Sequence, residues 1–199
     1  MIGMIACEFS QAVCKSFREE GIETYSCDLL PTDGNPTWHI RDNVLNHLKD
    51  GWDFMIAHPP CTDLCQASNA NLHRPDRQYL NVGEKRKQAF EFVMEIANAP
   101  IKHIAIENPI GYLNTAWRKP DQILRPYMFG YPYRKDICFW LKNLPLLNPT
   151  VPLYPPRPWK KLDFWSTDRN PNGRSLKSIT FENIAKAMAQ QWGSYMKKG

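Results

Sequence analysis

The sequence predicts a single α/β domain built on a doubly wound, mostly parallel sheet. Three observations carry that expectation. Short apolar runs alternate with amphipathic stretches through the first hundred residues. Each run stops abruptly on a polar residue or a proline, and 43% hydrophobic residues in a 199-residue chain suffice to fill one core.

Taken in order, Ile2-Gly3-Met4-Ile5-Ala6-Cys7 is a strand, Ser10 an N-cap, residues 12–20 an amphipathic helix and Gly21 its stop. Residues 22–27 form a second strand ending on Asp28, and two prolines and a glycine make residues 29–37 a loop. Asp42 caps a short helix over 43–49, and residues 52–57 are a buried strand that runs into His58-Pro59-Pro60-Cys61. After a polar loop over 62–82, a helix over 84–97 places Phe90, Val93, Met94 and Ala97 on one face. The strand over 102–106 delivers Glu107, and one further strand covers 135–141. A proline-rich connector spans about 143–175, and a last helix over 180–197 turns Ile184, Met188, Trp192 and Tyr195 inward. Ligands in such sheets bind beyond the carboxyl ends of the strands, where Asp28, Cys61 and Glu107 all fall.

Composition narrows the function classes. No apolar run approaches the roughly 18 residues of a membrane span, and residues 1–9 lack the features of a signal peptide, so a cytoplasmic protein without membrane contact is expected. Six cysteines without CxxC spacing read as free thiols. Cys61, Cys65, His73 and His58 fit no standard zinc spacing, and no metal is expected. A net charge of +5 favours a phosphate-bearing partner.

The chemistry concentrates at two places. A cysteine directly after two prolines at a strand end sits on a rigid exposed corner, which suits a nucleophile; the alternative is an inert buried thiol. Glu107 follows apolar strand and precedes Asn108-Pro109, a setting in which its carboxyl pKa would rise and allow proton donation; capping a nearby loop is the plainer role. In the loop after Cys61, Gln66, Ser68 and Asn69 can hydrogen-bond a base. Tyr154-Pro155-Pro156-Arg157-Pro158-Trp159-Lys160-Lys161 is either a stacking and phosphate-contacting strip or a solvated connector.

His58-Pro59-Pro60-Cys61 resembles the Pro-Cys nucleophile motif of DNA cytosine-C5 methyltransferases, and Glu107-Asn108-Pro109 resembles their Glu-Asn motif. The similarity extends to residues 6–9, Asp28, Asp42, Tyr133-Arg134-Lys135 and residues 139–145, most nearly as in short phage-encoded methyltransferase-like proteins without a target recognition domain. The resemblance implies an S-adenosylmethionine-dependent, Rossmann-like fold, located in the host cytoplasm if phage-encoded. It implies that Cys61, Glu107 and Arg134 are catalytic, Cys61 adding to C6 of a pyrimidine and Glu107 binding N3. Asp28 would bind the cofactor ribose, Asp42 its adenine, and Cys7, Glu8, Phe9, Ser10 and Pro59 the rest of it. Pro60, Gln66, Asn69, Asn108 and Lys135 would meet the substrate, DNA or a pyrimidine nucleotide. Two departures stand out: residues 8–11 contain no glycine where the family's loop is glycine-rich, and only about thirty residues replace the recognition domain, a gap that a homodimer could fill with recognition surface. Competing expectations are a non-catalytic nucleic-acid or protein-binding module on the same fold, and a Cys-dependent pyrimidine-modifying enzyme without a methyl donor.

Overall fold

Alternation of large apolar side chains along each strand sets the architecture. In a computed structural model, residues 1–66, 68, 81–132, 135–151 and 180–198 are described. Strands β1 (Ile2–Ala6), β2 (Glu23–Cys27), β3 (His39–Ile40), β4 (Phe54–Ala57), β5 (His103–Pro109), β6 (Gln122–Leu124) and β7 (Ile137–Lys142) form one sheet in the order β3-β2-β1-β4-β5-β7-β6. The pairs from β3 through β5 are parallel, and β7 runs antiparallel to both β5 and β6.

Each strand sends alternate residues to opposite faces, and the two faces build two cores. Ile5, Phe54, Ile56, Ala105 and Phe139 pack against α1 (Ala12–Glu19) and α4 (Glu182–Met196), with Phe17 stacked on Phe54 at 4.9 Å between ring centroids. A side chain on Gly3 would collide with the Phe54 ring, so a glycine is needed there. On the other face Met4, Met55, Ile104, Ile106 and Trp140 pack against α2 (Val82–Ala97). A single turn, α3 (Leu113–Ala116), follows β5. Among the described residues no helix is long and apolar enough to cross a membrane.

Several expectations change in detail. The segment after Asp42 is a 3-10 turn over Val44–His47 capped by Asn43, whose side chain accepts from the Leu45 amide at 3.1 Å. Ser10 is not the cap of α1; that position is Gln11, and Ser10 Oγ reaches only the Ala12 amide at 3.5 Å. Tyr195 is 46% exposed rather than inward, while Ile184, Met188 and Trp192 are buried. On α2, Val93 and Ile96 are buried while Phe90, Met94 and Ala97 are only partly so. The connector beyond residue 151, with the aromatic and basic strip at 154–161, lies outside the described residues.

β1 pairs with β2 on one side and β4 on the other, and the chain crosses from the β2–β3 side to the β4–β5 side. That reversal opens a crevice at the carboxyl ends of β1 and β4.

Candidate active site at the carboxyl edge of the sheet

The proline corner is fixed on three sides. The His58 amide donates to the Ala6 carbonyl at 2.9 Å, carrying β1–β4 pairing one residue past the strand. The Asn108 side-chain amide donates to the Pro59 carbonyl at 2.9 Å across from β5. Cys61 then opens a turn in which its carbonyl accepts from the Leu64 and Cys65 amides at 3.0 and 2.9 Å. Leu64 is buried, its carbonyl accepts from the Tyr112 amide at 2.7 Å, and Cys65 forms a bridge with Gly111. From α2, the buried Arg86 donates to the Asp63 carbonyl at 2.9 Å and to Ser68 Oγ at 2.7 Å. The Cys61 side chain remains exposed, whereas Cys14, Cys27 and Cys138 are buried. Burial lifts the thiols of Cys14 and Cys27 to about 12.

A β-carbon on Gly111 would land on the Leu64 carbonyl oxygen and crowd Cys65. Gly111→Ala is therefore expected to push the Cys61 turn off β5 and to destabilise the fold by about 1–3 kcal/mol. Urea unfolding, with the rate of Cys61 alkylation as a local readout, checks this.

Glu107 stands inside β5, not at its end. β4 provides partners only as far as Ile106, but the antiparallel β7 continues the pairing to Pro109, so Glu107 lies opposite Phe139 with its β4 side past that strand's end. His58 follows β4 at that point, and its Nδ1 lies 3.3 Å from Glu107 Oε2. The expected rise in the Glu107 pKa is corrected: burial pushes it up, but the His58 hydrogen bond and the charges of Lys135 and His58 outweigh burial and hold the carboxyl below its ordinary value. Although Cys61 opens to solvent, the protein packed around its sulfur partly desolvates the thiol and pushes it up, as do Glu107 and Cys65, with Lys135 pulling the other way. Lys135 thus acts on both reactive groups.

The crevice holds a cavity of about 400 Å³ lined by Cys7, Asp28, Asp42, Pro60 and Asp63 together with Lys85, Gln88 and Phe92 of α2. Three residues assigned to the cofactor by resemblance, Cys7, Asp28 and Asp42, are thus brought to one wall. Asp42 also serves locally, as a carboxylate held below its ordinary pKa by bonds from Asn46, the Asn43 amide and His47.

The other assignments fall elsewhere. Glu8 turns away from the cavity and caps α1, accepting from the Val13 and Cys14 amides at 2.7 and 3.1 Å. Phe9 and Pro59 are buried, and neither they nor Ser10 line the cavity. Asn108 is 1% exposed, so it clamps the corner from beneath instead of facing a substrate. Gln66 is exposed, its amide reaching the Ile110 carbonyl at 3.4 Å. Arg134 and Asn69 lie outside the described residues. Sequence reasoning missed Lys85, Gln88 and Phe92, although their i, i+3, i+7 spacing marks one face of α2.

Compared with known proteins, the chain matches no family model and no curated protein.

The glycine-free first loop nevertheless takes glycine-like backbone at two points, Cys7 at φ 60° and Gln11 at φ 59°. A left-handed conformation disfavours an L-residue by roughly 1–2 kcal/mol. Gln11 offsets this through its buried side chain, which donates to the Asn35 carbonyl at 2.9 Å and to Ser26 Oγ at 3.1 Å and accepts from the Asn35 amide at 2.7 Å.

Proposed function

We propose that the protein methylates C5 of a cytosine, presented in DNA, in a single strand or as a nucleotide, through a covalent adduct on Cys61. One observation carries this reading. An exposed thiol on a clamped proline corner and a carboxyl group from the adjacent strand, bonded to an imidazole, stand together beside a cavity at the sheet's switch point.

The cavity suits S-adenosylmethionine, since about 400 Å³ is within the range of small-molecule sites. Asp28 follows β2, where a carboxylate receives ribose hydroxyls, and Cys7, Asp42, Phe92 and Lys85 complete the walls. When bound, the cofactor supplies an electrophilic methyl group. The chain's own residues do the rest. The Cys61 thiolate attacks C6 of a base taken out of its stack. The displaced electron pair is accepted at N3, where Glu107 supplies a proton, and Lys135 lowers the energy of the thiolate. Asn108 keeps Cys61 from rotating away by holding Pro59.

One observation favours the second reading, a binding module without catalysis. The Glu8 carboxylate already occupies the N-terminus of α1, the place where a helix would otherwise receive an anionic group. Titration calorimetry separates the two. Under the methylation reading S-adenosylmethionine binds, and Asp28→Ala weakens it roughly 10- to 100-fold, as loss of hydrogen bonds to a charged group requires. A wild-type chain that takes up no S-adenosylmethionine leaves the binding module.

A further inference from the structure

Glu8, His58 and Glu107 follow or occupy the carboxyl ends of three neighbouring strands, β1, β4 and β5, with the imidazole in the middle. His58 Nδ1 faces Glu107 Oε2 at 3.3 Å. Its other nitrogen, Nε2, is buried without a hydrogen-bond partner among the described residues, and the side chain is only 9% exposed. Glu8 is 4% exposed, and the charge of His58 offsets part of the rise that burial imposes on its carboxyl. Outside this trio, Lys135 and Cys61 act on Glu107, and Asp28 acts on Glu8. The His58 ring thus bonds the partly exposed Glu107 carboxylate on one side and acts electrostatically on the buried Glu8 on the other.

We infer that His58 is a positioning residue that stores the proton Glu107 delivers to the substrate ring. The inference rests on the proposed cytosine methylation and deepens it. Glu107 is held ionised by its neighbours, so a proton for N3 has to reach it from another group. As Cys61 sulfur donates its electron pair to C6, the C5–C6 double-bond electrons shift through C4 and leave negative charge at N3. Glu107 hands a proton to N3 and takes one at Oε2 from His58 Nδ1. Imidazolium becomes imidazole, the ring anion becomes neutral, and Glu107 ends as the carboxylate it began as. Once C5 carries the methyl group, its proton is released to water as sulfur leaves C6 and the C5–C6 double bond reforms, and the N3 proton returns along the same path. The sequence shows only a histidine before two prolines; the pairing becomes visible once β4 and β5 are aligned, with Ala57 opposite Ile106.

Two measurements on the full chain test this. In imidazole ¹⁵N spectra, with the His58 signal assigned from its loss in His58→Asn, Glu107→Gln is expected to move the His58 Nδ1 resonance, since it removes the carboxylate that stands 3.3 Å away. The second measurement follows adduct formation on DNA containing 5-fluorocytosine. His58→Asn keeps a donor facing Glu107 but cannot release a proton. Both it and His58→Gln are expected to slow the adduct about a hundredfold at saturating DNA, with half-saturation unchanged. An unmoved His58 Nδ1 resonance in Glu107→Gln, or wild-type adduct rates in His58→Asn, overturns the inference. A wild-type chain that forms no adduct contradicts the methylation reading instead, and the His58 Nδ1 resonance then decides the pairing with Glu107 alone.

Discussion

Cys61→Ser is expected to abolish methyl transfer, by about 10⁴-fold or more, while S-adenosylmethionine binding stays within about twofold of wild type. A hydroxyl is a far weaker nucleophile than a thiolate. The exposed side chain leaves the fold untouched, with unfolding free energy unchanged to within about 0.5 kcal/mol. Methyl incorporation into DNA measures the first effect, calorimetry and urea unfolding the others. The pH dependence has a definite sign. Burial, Glu107 and Cys65 lift the Cys61 thiol above its ordinary value of 9.0, so the thiolate fraction near neutral pH is small and rises with pH into the alkaline range. Lys135→Ala removes the one charge among the described residues that pulls the thiol down, and should move this limb to still higher pH.

Glu107→Gln is expected to lower the rate about 10²- to 10⁴-fold, the contribution of a positioned general acid. The amide preserves shape and a hydrogen-bond partner for His58, so the loss isolates the proton. A stability signature accompanies it. The Glu107 carboxyl is held below its ordinary 4.5 in the folded chain, so its ionised form contributes stability above that value, and the contribution is lost as pH falls through the lower folded value. Urea unfolding from neutral to acid pH should therefore show a smaller acid loss in Glu107→Gln than in wild type.

Much of the frame was legible because it is written in local periodicity. The runs over β1, β2 and β4 and the apolar stripe of α4 occupy places that their spacing predicts. Strand direction is not written there. The stretch that forms β7 reads as one more strand, yet it runs against β5, and that reversal prolongs β5 past Ile106 and places Glu107 inside the sheet. β3 and β6, with two and three residues, are too short to show a period.

At the site, Cys61 was legible from its two prolines, and Asp28 from its strand end. Roles that depend on pairing across strands were not. Glu8 lies five residues before Val13, yet its capping role depends on the left-handed turn at Cys7, a conformation that cysteine seldom takes. Asn108 follows Glu107 in a motif suggestive of substrate contact, but strand alternation turns it under Pro59.

Methyl transfer as proposed requires a covalent bond between Cys61 and a pyrimidine. Incubation of the full chain with S-adenosylmethionine and 5-fluorocytosine-containing single-stranded DNA, duplex DNA or nucleotide, followed by peptide mass mapping, tests it most directly. A stable adduct is expected on the peptide carrying Cys61, lost in Cys61→Ala. No adduct with any of the three substrates, or an adduct on another cysteine that survives Cys61→Ala, would contradict it.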